Sequence, residues 1–204
     1  MKKLILTFIA LSFFSVCFAG SIQDMHKAVI ARKNAVVACD QVQTPTEDDA
    51  SGGSVAVARF SDADWQATQF VYTGTNGKSI CQIDLWLNFV GSNAHTYYAC
   101  IYSDDGGGTP HPSSSLGCSD ATDVSGIGGS EVQTAFVLSS PTSALTNSST
   151  YWVVSYSATY DGDDYANWYW ETSGTTERFD TSTDGSTWAN SYTSLTGKYK
   201  LYSE

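Results

Sequence analysis

The chain has 204 residues, a net charge of −11, 42% hydrophobic and 13% aromatic residues, and only 15% charged residues. This length is typical of one domain with a substantial core, and the low charge with many aromatic side chains excludes disorder and a coiled coil. Between Arg59 and Arg178 the only lysine or arginine is Lys78. We therefore expect no nucleic acid partner, because phosphates require a basic surface.

Residues 1–19 have the composition of a secretory signal peptide. Two lysines precede an apolar run that ends with Cys17 and Ala19 at the −3 and −1 positions of a cleavage site before Gly20. The run is short for a transmembrane helix of about 20 residues, and no later stretch has the composition of one. We therefore predict an exported protein, extracellular or periplasmic, with no membrane span after cleavage.

Four cysteines remain once Cys17 leaves with the signal peptide: Cys39, Cys81, Cys100 and Cys118. In an oxidising compartment an even number favours disulfides over a metal site or catalysis, and no Cys-x-x-Cys pair supports zinc. Four cysteines allow three pairings. We favour Cys100–Cys118, which closes the connection between two predicted strands, and this choice leaves Cys39–Cys81.

The chain divides into three parts. After the signal peptide, residues 20–54 are predicted to form a short helix over 21–38, with Ser21 as its cap, and then an acidic linker. From residue 55 to residue 204 the helix signals stop and strand signals recur at regular spacing. The clearest strand runs from Ile80 to Phe89, where apolar and polar residues alternate, so that one face packs in a core and the other faces water.

Six further strands and the turns between them complete the expected fold. The strands are predicted at residues 66–73, 95–103, 132–138, 150–158, 165–172 and 197–203. Asn76-Gly77 and Asp184-Gly185 suit tight hairpins with positive φ. Short strands without helical crossovers or a fixed repeat predict an all-β fold, an antiparallel two-sheet sandwich.

Several stretches of the predicted sandwich together resemble one protein family. In chain order these are 67–73 (ATQFVYT), 80–89 (ICQIDLWLNF), 99–110 (ACIYSDDGGGTP), 143–156 (SALTNSSTYWVVSY) and 179–202 (FDTSTDGSTWANSYTSLTGKYKLY). They are similar to the secreted bacterial jelly-roll modules of the choice-of-anchor type, which resemble carbohydrate-binding modules. The resemblance covers roughly residues 58–203 and implies an exported, non-catalytic jelly-roll β-sandwich. The chain departs from the family pattern because it ends at Glu204 without a hydrophobic anchor, so we expect no surface attachment by that route.

No signature of catalysis stands out in the sequence. The chain has no Gly-x-Ser-x-Gly elbow, and its three histidines, His26, His95 and His111, are scattered. Asp84 and Glu171 lie in predicted strands and are candidates for glycoside hydrolysis, which needs two carboxylates across a sugar. Because exposed carboxylates are common on an acidic exported protein, we predict that this protein is not an enzyme.

One acidic segment has the residue types of a metal site. Asp161, Asp163 and Asp164 place three carboxylates within four residues, and Asp104-Asp105 precede three glycines. Oxygen ligands on a loop suit calcium, although the spacing does not match an EF-hand. Solvated turns use the same residue types. We expect no cofactor, and structural calcium on the first of these segments is the alternative.

Aromatic side chains give the strongest indication of function, because sugars present flat apolar faces ringed by hydroxyl groups. An indole on the polar side of a strand, as at Trp86, exposes apolar surface, and such exposure is typical of a binding or contact site. The residues that we expect to bind a ligand are Trp86, Asp84, Asn88, Tyr98 and Tyr102, with Trp168 and Trp170 in reserve. The first five form one platform if the 80–89 and 95–103 strands are neighbours.

The predicted function is non-catalytic binding of an extracellular carbohydrate through aromatic stacking. The alternative is a structural or assembly protein of an extracellular filament, matrix or cell surface. In that case Trp86 and the 21–38 helix form subunit contacts, and an exposed sheet edge pairs with a neighbour. The expected partner is therefore a carbohydrate or an extracellular surface, or a second copy of the chain.

Overall fold

The structure, a computed structural model of the chain, describes residues 39–43, 57–59, 65–91, 96–157, 164–172, 178–193 and 195–204. The predicted signal peptide and the helix expected over residues 21–38 lie outside these ranges. No helix within them is long and apolar enough to cross a membrane.

The described residues form fourteen strands and one 3₁₀ turn at Ser125–Ile127, and they include no α-helix. In chain order the strands are β1 (Asp40–Gln43), β2 (Val57–Arg59), β3 (Trp65–Val71), β4 (Ile80–Val90), β5 (Thr96–Asp104), β6 (Pro112–Cys118), β7 (Thr122–Asp123), β8 (Val132–Val137), β9 (Thr150–Ser157), β10 (Tyr165–Thr172), β11 (Arg178–Ser182), β12 (Ala189–Thr193), β13 (Leu195–Gly197) and β14 (Tyr199–Ser203). The all-β class is confirmed, and the seven strands predicted from alternation correspond to β3, β4, β5, β8, β9, β10 and β14.

The strands form two antiparallel sheets. The first sheet has the order β1-β14-β4-β10-β13, with β2 paired to β10 and β8 paired to β4. The second sheet has the order β12-β11-β3-β9-β5-β6, with β7 paired to β5. Every described pair is antiparallel.

One hydrophobic core lies between the two sheets. The alternation in β4 directs Ile83, Leu85 and Leu87 into this core, where all three are fully buried. Ile101 of β5 and Val153 of β9, both in the second sheet, belong to the same cluster. Because residues from both sheets form one cluster, the sheets pack face to face as in a β-sandwich.

The second sheet is buried on its outer face as well. A second apolar cluster on that face includes Ala67 of β3, Cys100 and Tyr102 of β5, and Trp152 and Val154 of β9. Four of these five side chains have no exposed surface, and Tyr102 is only 9% exposed. The middle strands of this sheet are therefore apolar on both faces, which explains the unbroken apolar run of β9.

Two expectations about connections are wrong. Strands β4 and β5 lie in different sheets, so the 80–89 and 95–103 segments are not neighbours. Asn76-Gly77 forms a tight turn, with Gly77 at φ 81°, but it links β3 to β4 across the sandwich and makes no hairpin. Asp184-Gly185 does connect the paired strands β11 and β12, with Gly185 at φ 71°.

Residues 40–43, which the sequence places in a linker, form the edge strand β1 against β14. The side chain of Gln43 holds this strand to the end of β3. Its Nε2 donates to the Val71 carbonyl oxygen at 2.8 Å, and its Oε1 accepts from the Thr73 N–H at 3.0 Å. Val42 also packs against the core, but one apolar contact within four residues gives no alternation, so the sequence of this strand has the pattern of a loop.

Both expected disulfides are present. Cys100–Cys118 joins residues that lie directly opposite each other on β5 and β6. Cys39–Cys81 connects the residue before β1 to β4. The pairing favoured from the sequence is confirmed, and the second bond fixes the N-terminal edge of the first sheet.

We expect each disulfide to stabilise the fold mainly by restricting the unfolded chain. The sequence separations are 18 for Cys100–Cys118 and 42 for Cys39–Cys81. Loop-closure entropy then corresponds to about 3 and about 4 kcal/mol. Urea denaturation of the two double cysteine-to-alanine variants, each compared with the oxidised parent, measures both losses. An unchanged free energy of unfolding in either variant contradicts the prediction for that bond.

Candidate functional site

Trp86 lies on the outer face of the first sheet, as the alternation of β4 predicts. Gln133 on β8 lies directly opposite Trp86. On the other side of β4, the backbone N–H of Trp86 donates to the Lys198 carbonyl oxygen at 3.3 Å. The indole is half-buried, and the Nζ of Lys200 lies 5.2 Å from its ring centroid. A cation–π contact at such a site contributes about 0.5–1 kcal/mol, so the lysine is held over the ring only weakly.

Asp84 organises the polar side chains beside Trp86. Its carboxylate is 3% exposed and accepts hydrogen bonds from Gln82 Nε2 at 2.7 Å, Gln133 Nε2 at 2.6 Å and the Tyr202 hydroxyl at 2.9 Å. A buried carboxylate requires such donors, because its desolvation is otherwise costly. Burial, followed by the bond to Asp84, raises the pKa of Tyr202. A side-chain hydrogen bond between Gln133 and Tyr202 acts in the opposite direction and lowers this pKa.

Asn88 belongs to a second hydrogen-bonded group on the same face. Its Nδ2 donates to the Gly129 carbonyl oxygen and to the Tyr169 hydroxyl, both at 3.0 Å. Its Oδ1 accepts from Asn167 Nδ2 at 2.7 Å. Both N–H groups of this buried amide are thus in use. Asn88 connects β4 to β10 and to the segment before β8, so its amide donors serve the fold.

Tyr98 and Tyr102 lie on the outer face of the other sheet, so they cannot form one platform with Trp86. Tyr98 stacks on Tyr156 with ring centroids 5.1 Å apart, and Tyr156 stacks on Trp65 at 3.7 Å, with interplanar angles of 17° and 16°. These three residues form a row across neighbouring strands. Rings stacked along such a row stand on edge and cover one another's faces, because the strands are about 4.8 Å apart.

Trp168 and Trp170, the reserve candidates, are core residues. Trp168 is fully buried and Trp170 is 7% exposed. Both indoles pack edge-on against Phe179, with centroids 5.9 and 5.0 Å apart. Along β10 they share the inner face with Ala166, whereas Tyr169 takes the outer face. Both indoles are therefore packed in the core between the sheets, and their role in ligand binding stays a prediction.

The acidic segment considered for calcium falls largely on residues that the structure does not describe. Asp161 and Asp163 lie outside the described ranges, and Asp164 is buried. Within the described ranges, no three His, Cys, Asp or Glu side chains are grouped so that they could hold a metal ion. Calcium binding at this segment stays a prediction, as does any role of the Glu171 side chain, which is also outside the described part.

The outer face of the second sheet contains a histidine–aspartate contact that the sequence did not indicate. His111 Nδ1 lies 2.6 Å from Oδ2 of Asp180, which is fully buried beside Ala67. Burial raises the pKa of Asp180, the bond to His111 and the charges of His111 and Arg178 lower it, and the charge of Asp105 raises it. The pair is separated by 69 residues, and no local pattern connects them.

The chemistry available to this histidine–aspartate contact is limited by its neighbours. A buried carboxylate bonded to one imidazole nitrogen is the orienting part of a Ser-His-Asp triad. Among the described residues, however, the His111 side chain hydrogen-bonds to Asp180 and to no hydroxyl or thiol. The Oδ1 atom of Asp180 is buried and has no hydrogen-bond partner there either. The pair therefore has the geometry of a structural contact with one oxygen left unsatisfied.

Comparison with known proteins identifies no family. No protein-family model matches the chain, and no curated protein matches it. The resemblance to jelly-roll modules of the choice-of-anchor type therefore stays a prediction.

We expect Asp84 to be the residue that holds the polar group around Trp86 together. Asp84→Ala leaves the Gln82, Gln133 and Tyr202 donors without their acceptor, so the free energy of unfolding should fall by about 1–3 kcal/mol. Urea denaturation measures this loss. Gln133→Ala is the comparison, because it removes only one of the three donors to Asp84 and should therefore cost less than Asp84→Ala. Equal stability of Asp84→Ala and the parent contradicts the organising role.

Proposed function

We propose that the protein is a secreted, non-catalytic module that binds an extracellular carbohydrate on the outer face of the first sheet. One observation supports this function most directly: a half-buried indole lies among hydrogen-bonding side chains from three adjacent strands. Besides Trp86, the set consists of Gln82 and Asp84 on β4, Gln133 on β8, and Lys200 and Tyr202 on β14.

This combination matches the two surfaces of a sugar ring. The C–H face of the ring stacks on Trp86, while the hydroxyl groups at its edge need both donors and acceptors. Gln82 and Gln133 supply amide groups of fixed orientation, because Asp84 binds one N–H of each. A ligand that stacks on the indole displaces the Lys200 ammonium, which then donates to a ring hydroxyl.

The other aromatic face suits a sugar less well. In the row of Trp65, Tyr156 and Tyr98 the rings cover one another's faces, so they pack together as an apolar cluster. Trp152, the other large aromatic side chain there, is fully buried. We therefore place the ligand on the first sheet, and Tyr98 and Tyr102 become structural residues in this proposal.

Export and the finer fold belong to the same proposal. The two disulfides support an oxidising location, since such bonds persist outside the cytosol. Apart from the β5–β6 hairpin and the short β7, the strands from β3 to β10 alternate between the two sheets. That alternation supports a jelly roll, in which two Greek keys form a double sheet.

Binding of the oxidised protein to a broad glycan and polysaccharide array, with and without calcium, tests the proposal. We expect the parent to bind with millimolar to micromolar affinity, or about 4–8 kcal/mol, and Trp86→Ala to bind at least tenfold more weakly, or about 1.4 kcal/mol. Tyr192→Ala is the matched control, because Tyr192 is 50% exposed on β12 of the other sheet. Thermal melting verifies that both variants are folded.

The outcomes separate the hypotheses. Binding that persists in folded Trp86→Ala contradicts the proposed site, and binding lost equally in Tyr192→Ala contradicts its location on the first sheet. If the parent binds nothing on the array, the carbohydrate proposal fails. Sedimentation velocity over a range of concentrations then tests the alternative, a self-associating structural protein.

A further inference from the structure

Basic side chains are scarce on this protein, and two of them lie beside Trp86. Between residue 39 and residue 204 the chain has five lysines and arginines: Arg59, Lys78, Arg178, Lys198 and Lys200. Along β14, Tyr199 and Leu201 point into the core. The intervening Lys200, and Lys198 just before the strand, are therefore directed to the outer face of the first sheet. A protein with a net charge of −11 thus has two lysines on the face where the ligand is proposed to bind.

The first of these lysines is neutralised by a carboxylate. Nζ of Lys198 lies 2.9 Å from Oε1 of Glu131, and the two side chains are 15% and 29% exposed. The Lys198 N–H donates to the Tyr169 carbonyl oxygen at 2.8 Å, and its carbonyl oxygen accepts from Trp168 Nε1 at 2.9 Å. Lys198 therefore serves the fold, and its charge is balanced within the protein.

The second lysine has no carboxylate partner among the described residues. Lys200 lies directly opposite Asp84 in the register of β14 and β4. Both oxygens of that carboxylate already accept hydrogen bonds from neutral side chains, one bond at Oδ1 and two at Oδ2. Within the described ranges, the Lys200 ammonium contacts the Trp86 ring, whose centroid is 5.2 Å from Nζ, and it makes no ion pair. Its positive charge is therefore available to an anion.

A sugar that stacks on Trp86 takes the place of the Lys200 ammonium over the ring. The stem of Lys200 starts on the strand next to β4, about 4.8 Å away. The displaced ammonium therefore stays at the edge of the bound sugar, where it needs an acceptor to replace the lost cation–π contact. A hydroxyl oxygen accepts an ordinary hydrogen bond, whereas a carboxylate accepts a charge-assisted bond that is about twice as strong.

The surrounding charges determine where such a carboxylate lies. Asp84 on β4 and Glu131 just before β8 repel a second anion, so the favourable position is on the β14 side of the indole, within reach of Lys200. One available cation suits one carboxylate on the stacked ring. The net charge of −11 disfavours a long polyanion, so short acidic oligosaccharides or polymers with widely spaced carboxylates fit the site best.

We propose that the site around Trp86 selects a sugar with a carboxylate substituent, such as a uronic acid, and that Lys200 binds this carboxylate. The inference rests on the proposed function, because it assigns a substrate class to the same site. In the complex the C–H face of the sugar covers the indole, and the Lys200 ammonium donates to the carboxylate at the edge of the ring. Lys200 thereby discriminates acidic from neutral sugars, whereas Trp86 contributes to the binding of both.

Titration of the oxidised protein with short uronic acid oligosaccharides, followed by nuclear magnetic resonance, tests this assignment. Oligosaccharides of glucuronic, galacturonic, mannuronic and guluronic acid are each compared with their carboxyl-reduced form, in which a hydroxymethyl group replaces the carboxylate and the linkage is kept. The parent should bind at least one acidic oligosaccharide about three- to tenfold more tightly than its neutral form, as expected for a half-exposed charge pair.

Three variants show whether Lys200 causes this preference. Lys200→Gln should lose the preference and bind the neutral forms at least as tightly as the parent does, because no ammonium competes for the indole. Lys200→Arg keeps the charge and should keep the preference. Lys78→Gln is the matched control, because it makes the same change in net charge at an exposed lysine that precedes β4. Thermal melting verifies that each variant is folded.

The outcomes separate this assignment from the function on which it rests. If the parent binds neither the acidic nor the neutral oligosaccharides and nothing on the glycan array, the proposed function fails and the assignment fails with it. If the parent binds both forms equally, the carbohydrate site stands and the choice of an acidic sugar is wrong. A preference that persists in folded Lys200→Gln, or that Lys78→Gln also loses, excludes Lys200 as the residue that binds the carboxylate.

Discussion

Burial of the second sheet on both faces is the constraint on which the rest of the structure depends. Its middle strands direct Ile101 and Val153 into the core between the sheets, and Cys100 and Trp152 into the outer cluster. A face occupied by such side chains must be covered, because exposed apolar surface of this extent is unfavourable. The polar outer face around Trp86 is therefore left as the surface where a hydrated ligand can meet both an aromatic ring and hydrogen-bonding groups.

The two buried carboxyl groups of Asp84 and Asp180 have different hydrogen-bonding surroundings. Asp84 accepts three hydrogen bonds from neutral donors on its own and adjacent strands, so its charge is stabilised without a cation. Asp180 has a single contact to His111, and its second oxygen is unsatisfied among the described residues. The first arrangement fixes the orientation of the side chains around Trp86, whereas the second leaves a buried carboxyl group with a single hydrogen-bonded contact.

The local alternation of apolar and polar residues predicted on which face of a strand a side chain lies. It did not predict which strands lie in the same sheet. It placed Trp86 and Asp84 on the outer side of β4, and it placed Tyr98 on the outer side of β5, but it could not show that these strands belong to different sheets. In β10 both faces have aromatic residues, so the pattern could not identify Trp168 as a core residue. The contact between His111 and Asp180 depends on the order of five strands, and that order is a long-range property which no local periodicity contains.

The position of Lys200 sets a limit on the affinity of the proposed site. Its ammonium lies over the Trp86 ring, so the indole already has a favourable neighbour. A sugar gains only the difference between its own stacking and this contact, together with hydrogen bonds that replace bonds to water. In the proposed function, a site with one aromatic plane and a displaceable lysine over it suits a repetitive polymer, because weak single contacts add up when several copies of the module bind one chain.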